Sequence, residues 1–97
     1  MALSVVDNPD RSRYELRDGD QVLGFTEYSE RDDGVLVFPH TVITSPKRGA
    51  GYGSTLVQAA LDDVRSRGGS VVPTCSFVRG WIEKHPEYAD LVTSPGR

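Results

Sequence analysis

A glycine-rich segment, Arg48–Gly53, constrains this chain more than any other part of it. The segment follows the apolar run Val35–Ile43 and precedes a helical pattern that starts near Ser54. A strand, a glycine turn and a helix start form an anion-binding device, because the first N–H groups of a helix lack intrachain acceptors and the helix dipole adds positive potential. Glycine permits positive φ and lets a ligand approach without meeting a Cβ. Arg48 adds a planar fork of donors that suits phosphate.

The glycine segment matches neither of two common nucleotide-binding motifs. It is not a P-loop, because no Gly-Lys-Ser/Thr follows it. Ser54 stands where a dinucleotide fingerprint needs its third small residue, and 97 residues are too few for the full two-half dinucleotide fold. From these residues alone, a tight connection without any ligand and an anion site are equally good interpretations.

Strand patterns occupy the chain before the glycine segment. Arg13–Leu16 and Gln21–Tyr28 flank Asp18-Gly19-Asp20, which predicts a β-hairpin. Ser4–Val6 predicts a short strand before that hairpin. In the apolar run Val35–Ile43 we expect both faces to be buried, with a bulge or a break in pairing at Pro39 because proline cannot donate a sheet hydrogen bond.

Helical patterns dominate the chain after the glycine segment. Apolar residues at helical spacing predict one helix with a buried face, formed by Leu56, Val57, Ala60, Leu61 and Val64. Gly68-Gly69 ends this helix, and Ser70–Pro73 predicts a strand parallel to the earlier apolar run. Phe77–Lys84 predicts a second helix. A short third helix is expected over Pro86–Val92.

Aromatic residues of the two later helices are expected in the core. They are Phe77, Trp81 and Tyr88. His85, before a proline at a helix end, is expected to be a structural cap or a surface residue. Thr93–Arg97 is expected to be a frayed tail.

The composition narrows the class of protein. Ninety-seven residues predict one domain spanning residues 1–97, and a net charge of −3 argues against a nucleic-acid or anionic-membrane binder. The single cysteine, Cys75, fits a reducing compartment, and the N-terminus lacks the form of a signal peptide, so we expect a cytoplasmic protein. The two histidines and Cys75 lie too far apart to predict a metal site.

Several segments together resemble one family. Arg48, Gly51 and Gly53, spaced as Arg-x-x-Gly-x-Gly, resemble the pyrophosphate-binding signature of the GNAT acetyltransferase superfamily. Val72–Val78 and His85–Leu91 are similar to small single-domain members of that superfamily, and the resemblance runs from about residue 4 to 92. It implies an α+β fold with a mixed, mainly antiparallel sheet, one long crossover helix and one or two short C-terminal helices. Two positions, Ala50 and Tyr52, depart from the pattern that these small members often carry.

The resemblance also implies acetyl-CoA as cosubstrate, without a metal. The pantetheine arm would lie between the His40–Ile43 and Ser70–Thr74 strands and pair with the backbone near Val42 and Ile43. The pyrophosphate would rest on backbone N–H groups beside the arginine, within the set Arg48, Gly49, Ala50, Gly51, Tyr52, Gly53 and Ser54.

Cys75, His40 and Glu27 are the catalytic candidates. Cys75 would lie in the acetyl pocket or accept the acetyl group covalently, although a free cysteine is most often a small buried hydrophobe. His40 or Glu27 would remove a proton from an amine acceptor, although a structural histidine and a solvated strand carboxylate are the ordinary alternatives.

The expected function is transfer of acetyl from acetyl-CoA to an amine, either a small amine or a protein amine. One alternative is a non-catalytic module that binds or senses acyl-CoA. Another is an interaction domain that has kept the fold and lost the ligand.

Overall fold

A computed structural model describes residues 3–31, 34–44 and 51–93. Three predicted cofactor-binding residues, Arg48, Gly49 and Ala50, lie outside this part of the chain. The strands are β1 (Leu3–Asn8), β2 (Arg13–Asp18), β3 (Gln21–Glu30), β4 (Leu36–Ile43) and β5 (Val71–Val72). The helices are α1 (Tyr52–Ser66), α2 (Ser76–Lys84) and the 3₁₀ helix α3 (Pro86–Leu91).

The five strands form one sheet in chain order. β1 to β4 are antiparallel neighbours, whereas β4 and β5 are parallel. The predicted hairpin is confirmed, with Gly19 at a φ of 59° in its turn, and both of its strands run two residues further than expected. The mixed, mainly antiparallel α+β architecture predicted from the family resemblance is therefore confirmed.

Helix α1 crosses the sheet and supplies much of the core. All five residues of its predicted apolar face are buried, and so is Tyr52, which the spacing did not include. At its C-terminus, the Gly68 N–H donates to the Arg65 carbonyl and the Gly69 N–H donates to the Val64 carbonyl. Gly68 has a φ of 70°, which a glycine adopts readily, so the predicted glycine stop is confirmed as a Schellman cap.

Helix α2 differs from the prediction in one residue. Val78, Trp81 and Ile82 are buried, but Phe77 is 46% exposed. The prediction that Phe77 belongs to the core is wrong, because α2 turns this side chain toward the start of α1 rather than toward the sheet. In α3, Tyr88 and Leu91 are buried as expected.

Only one face of β4 is buried, and only in the first half of the strand, contrary to expectation. Leu36 and Phe38 are buried, Val35 and Val37 are half-buried, and His40 is exposed. The reason is that α1 packs on the side of the sheet that carries Phe38.

Of the two expectations for Pro39, a bulge or a break in pairing, the structure shows the bulge. Glu27 pairs with His40, and Ser29 pairs with Val37. Two residues of β4, Phe38 and Pro39, therefore lie opposite one residue of β3.

The last two described residues, Val92 and Thr93, are attached to the sheet edge. Val92 bridges to Val71, and the Thr93 N–H donates to the Val71 carbonyl. Thr93, expected in a frayed tail, is therefore ordered by this bond, and residues 94–97 of that predicted tail lie outside the described part. No helix within the described ranges is long and apolar enough to cross a membrane.

Candidate functional site

A cleft opens where β4 and β5 cease to pair. The parallel ladder ends with Val37 and Val72, and the Cys75 N–H then donates to the Phe38 carbonyl at 2.8 Å. Beyond this bond lies a space of about 650 Å³. Its walls are the end of β4, the start of α1 and one residue of α2, namely Thr41, Val42, Ile43, Gly51, Tyr52, Gly53, Ser54 and Phe77. The structure thus brings together six of the residues predicted to bind a cofactor.

The positive end of α1 borders this cleft. The Thr55 N–H donates to the Gly51 carbonyl at 3.0 Å, so the three N–H groups before Thr55 have no acceptor within the helix. Gly51 precedes the helix with a φ of 79°, and the described first turn contains no acidic side chain. These donors and the helix dipole make this end of the cleft suited to an anion.

Gly53 and Phe77 form a close contact at the same wall. A Cβ added to Gly53 would lie 2.6 Å from Cζ of Phe77. Glycine at this position therefore lets the phenyl ring lie across the start of α1. The Phe77 side chain is half-exposed and forms an apolar part of the cleft wall. The helical spacing did not predict this role.

Ser54 has a partner already. Its Oγ accepts a hydrogen bond from Trp81 Nε1 at 2.8 Å, which joins α1 to α2. The ring of Trp81 in turn stacks on His85, with 3.9 Å between ring centroids. His85 Nδ1 lies 2.8 Å from the Trp81 carbonyl and donates to it, which confirms the structural role predicted for His85.

Cys75 directly precedes α2 in the chain and contacts Thr41 of β4. The side chain is buried, and Sγ lies 3.5 Å from Thr41 Oγ1. Burial raises the pKa of the Cys75 thiol, but the N–H of Val78, the Thr41 hydroxyl and the N–H of Phe77 can all donate to the deprotonated sulfur, and together they outweigh burial and hold the pKa below its ordinary value. This environment favours a thiolate, the nucleophilic form of cysteine.

The sequence did not predict a role in the site for two threonines, Thr26 and Thr41. Thr41 Oγ1 lies 2.9 Å from Thr26 Oγ1, and Thr26 is fully buried on β3. Strand threonines are common, and nothing in their spacing marks these two as neighbours of Cys75. Only the register of β3 against β4 brings them together.

Glu27 and His40 lie together but on the other face of the sheet. They are direct cross-strand partners, one position from the Thr26–Thr41 pair, and successive side chains of a strand point to opposite faces. His40 is exposed, and its ring lies 6.4 Å from that of Phe25, centroid to centroid. The structure therefore brings Thr41, rather than Glu27 or His40, to the Cys75 sulfur. Within the described ranges, no three His, Cys, Asp or Glu side chains cluster as a metal site would require.

The fold and the cleft define an acyltransferase-like α+β domain, with an open strand pair facing a helix N-terminus. Residues 13–91 match the family model of the GCN5-related N-acetyl-transferases, and the chain belongs to this family. Its fold is similar to the NMR solution structure of a GCN5-like protein from Staphylococcus aureus. That similarity has a TM-score of 0.72 at 22% identity and covers 95% of this chain and 89% of the other.

Proposed function

We propose that this protein binds acetyl-CoA in the cleft and transfers the acetyl group to an amine. The observation that carries the proposal is the cleft itself, which lies between the end of β4, beyond its ladder with β5, and the first N–H groups of α1, which have no acceptor within the helix. The diphosphate would bind at Gly51–Ser54, beside Arg48, Gly49 and Ala50. The pantetheine amides would pair with the backbone of Val42 and Ile43.

Two chemical routes fit this placement. In direct transfer, the amine nitrogen attacks the thioester carbonyl, the carbon–sulfur bond breaks, and CoA leaves as a thiolate that takes up a proton. The amine proton would pass to water, or to Glu27 or His40 if the acceptor approaches from their face of the sheet.

In the covalent route, Cys75 acts first. Its thiolate attacks the acetyl carbonyl, acetyl-cysteine forms and CoA thiolate leaves. The amine then attacks acetyl-cysteine, releases the Cys75 thiolate and loses its own proton. The lowered pKa of Cys75 supports this route, and Thr41, whose Oγ1 lies 3.5 Å from the sulfur, is also a residue of the cleft wall.

The acceptor is proposed to be an amine that docks on an open surface. Within the described ranges, α1 covers one face of the sheet and leaves the face of Glu27 and His40 without a helix. Such a surface suits an exposed lysine or a chain terminus as well as a small amine. A sequence with a single cysteine, which cannot form an internal disulfide, suits the reducing cytoplasm, where we place this reaction.

Calorimetry with CoA on a matched pair of variants tests the binding site. Gly51 and Gly68 bound the two ends of α1, both have positive φ, and an added Cβ meets no atom within 4 Å at either position. Gly51→Asp and Gly68→Asp therefore impose similar backbone strain. Only Gly51→Asp places a carboxylate at the proposed diphosphate site, and it should weaken CoA binding at least about tenfold by charge repulsion. Equal affinities for the two variants would refute the placement.

Turnover and route are tested separately. Release of CoA thiol with a panel of small amines and peptides should depend on both substrates, whereas binding without release would favour an acyl-CoA-sensing module. Mass spectrometry after incubation with labelled acetyl-CoA alone should show acetyl on Cys75 if the covalent route operates, and none in Cys75→Ser. An unlabelled Cys75 together with full turnover of Cys75→Ser would leave direct transfer. A chain that binds no CoA would be an interaction domain.

A further inference from the structure

Three polar side chains form a row from the buried face of β3 to the cleft. Thr26 Oγ1 lies 3.5 Å from the His40 carbonyl and 2.9 Å from Thr41 Oγ1. Thr41 Oγ1 lies 3.5 Å from Cys75 Sγ and also lines the cleft. Thr26 is 0% exposed and sits against Phe38 and α1, so its hydroxyl must find its partners inside the protein.

We infer that Thr26 and Thr41 form a hydroxyl relay that stabilises the thiolate form of Cys75 for acyl transfer. The inference rests on the proposed function for its purpose, but the relay itself can be measured without any substrate. Thr26 and Thr41 are positioning residues in this scheme, because they act through the sulfur.

The proton count of the relay sets its direction. Each hydroxyl carries one proton and each oxygen can accept. With a thiol, Cys75 donates to Thr41, Thr41 donates to Thr26, and Thr26 donates to the His40 carbonyl. When Cys75 is a thiolate, Thr41 donates to the sulfur and Thr26 donates to Thr41. Loss of the thiol proton to solvent therefore reverses the direction in which both hydroxyls donate.

When Cys75 loses its proton, the three side chains lose only their weakest hydrogen bond. The 2.9 Å bond between the threonines is kept in both directions, and only the 3.5 Å approach of Thr26 to the His40 carbonyl is given up. In exchange, the sulfur gains a charge-assisted hydrogen bond, which is stronger than a neutral one. Thr26 strengthens that bond by donating to the oxygen that serves the sulfur.

Charged groups do not take the place of the relay. The elements packed around Cys75 carry His40 on β4, Glu27 and Glu30 on β3, and Arg79, Glu83 and Lys84 on α2, and none of these is among the main groups that shift the pKa of Cys75. His40 and Glu27 lie on the opposite face of the sheet, and the hydrogen bond from Arg79 to Cys75 joins backbone atoms alone. The hydroxyl row is therefore the side-chain feature to perturb.

NMR titration of the Cys75 ¹³Cβ signal tests the inference in the free protein. The chain has one cysteine, so cysteine-selective labelling gives a single reporter that needs no access to the sulfur. Thr41→Val should lower the thiolate-to-thiol ratio at pH 7 at least about tenfold, because a hydrogen bond to a charge is removed. Thr26→Val should lower it by about threefold, because it acts through Thr41. Thr41→Ser and Thr26→Ser keep the hydroxyl and should restore the ratio.

Thr74→Val is the matched control. Its hydroxyl lies next to Cys75 in the chain but donates to the Phe38 carbonyl at 3.2 Å. This variant should leave the titration unchanged. If Thr74→Val shifts the Cys75 titration as much as Thr41→Val does, the relay is wrong. The relay is also wrong if Cys75 titrates in Thr26→Val as it does in the wild type.

Two further measurements separate folding and function from the relay. If circular dichroism shows that Thr26→Val does not fold, Thr26→Ala removes the same hydroxyl without adding bulk, and its comparison with Thr26→Ser decides in the same way. If Thr41→Val shifts the Cys75 titration more than Thr26→Val does, but the protein fails to bind CoA, the relay is supported and the proposed function is rejected.

Discussion

Gly24 gives a direct test of how tightly β3 supports the cleft wall. It pairs with Ile43 across the strands, and a Cβ added to Gly24 would lie 2.8 Å from the Val42 carbonyl oxygen and 2.7 Å from Ile43 Cδ1. The Ile43 methyl can rotate away, but the carbonyl belongs to the backbone of β4. Gly24→Ala must therefore push β4 back by about 0.5 Å to restore an ordinary carbon–oxygen contact.

The expected cost follows from two opposing terms. Overpacking of a filled site destabilises by about 1–3 kcal/mol. The alanine recovers about 0.4–1 kcal/mol by restricting the unfolded chain. The net loss is about 1–2 kcal/mol, which corresponds to a fall of about 5–15 °C in the melting temperature of a domain of this size.

Gly80→Ala is the matched control for this substitution. Gly80 lies inside α2, and a Cβ there would meet nothing within 4 Å. Alanine should stabilise that helix by about 0.5–1 kcal/mol. Thermal and chemical denaturation of both variants should thus give opposite signs. If Gly24→Ala is neutral or stabilising, the close contact with the Val42 carbonyl does not hold β4 in place.

Two further predictions concern a cleft wall and a buried charge. Phe77→Ala should weaken CoA binding several-fold in calorimetry while costing less than about 1.5 kcal/mol of stability, because the ring is half-exposed; an unchanged Kd would remove Phe77 from the site. Glu15 is buried between Arg13 and Arg17. Burial raises the pKa of its carboxyl, but hydrogen bonds from Arg17, Arg13 and Asn8 outweigh burial and hold that pKa below its ordinary value. A lowered folded-state pKa gives stability that is present above the unfolded-state pKa and lost as pH falls through the folded value. Denaturant unfolding at about pH 7 and about pH 3 should therefore show a smaller acid loss in Glu15→Gln than in the wild type, and equal losses would contradict this linkage.

Local signals in the sequence predicted much of the fold. The Asp18-Gly19-Asp20 turn, the helical spacing from Leu56 to Val64 and the glycine stop at Gly68 each act within a few residues. Such signals depend little on the rest of the chain. The orientation of Phe77 on α2 has no such local signal, because it depends on the absence of a side chain at Gly53, 24 positions earlier.

The candidate site was predictable in its outline but not in its chemistry. Six residues of the cleft, Val42, Ile43 and Gly51–Ser54, follow from a strand, a glycine segment and a helix start in succession. Thr26 and Thr41 become neighbours through a register that depends on the bulge at Pro39, and a pattern of residue types does not contain that register. The roles of Cys75, His40 and Glu27 stay predictions, with Cys75 on one side of the sheet and the other two on the opposite side.

The irregularity at Pro39 has a chemical consequence. Leu36 and Phe38 set the phase of the first half of β4, and a regular strand continued from them would turn His40 and Val42 toward α1. An imidazole would then share a side with the thiol, as in cysteine hydrolases that use a histidine base. The one extra residue instead turns a hydroxyl inward and the imidazole outward. The segment Leu36–Ile43 is compatible with either side-chain arrangement, and the backbone at Pro39 decides between them.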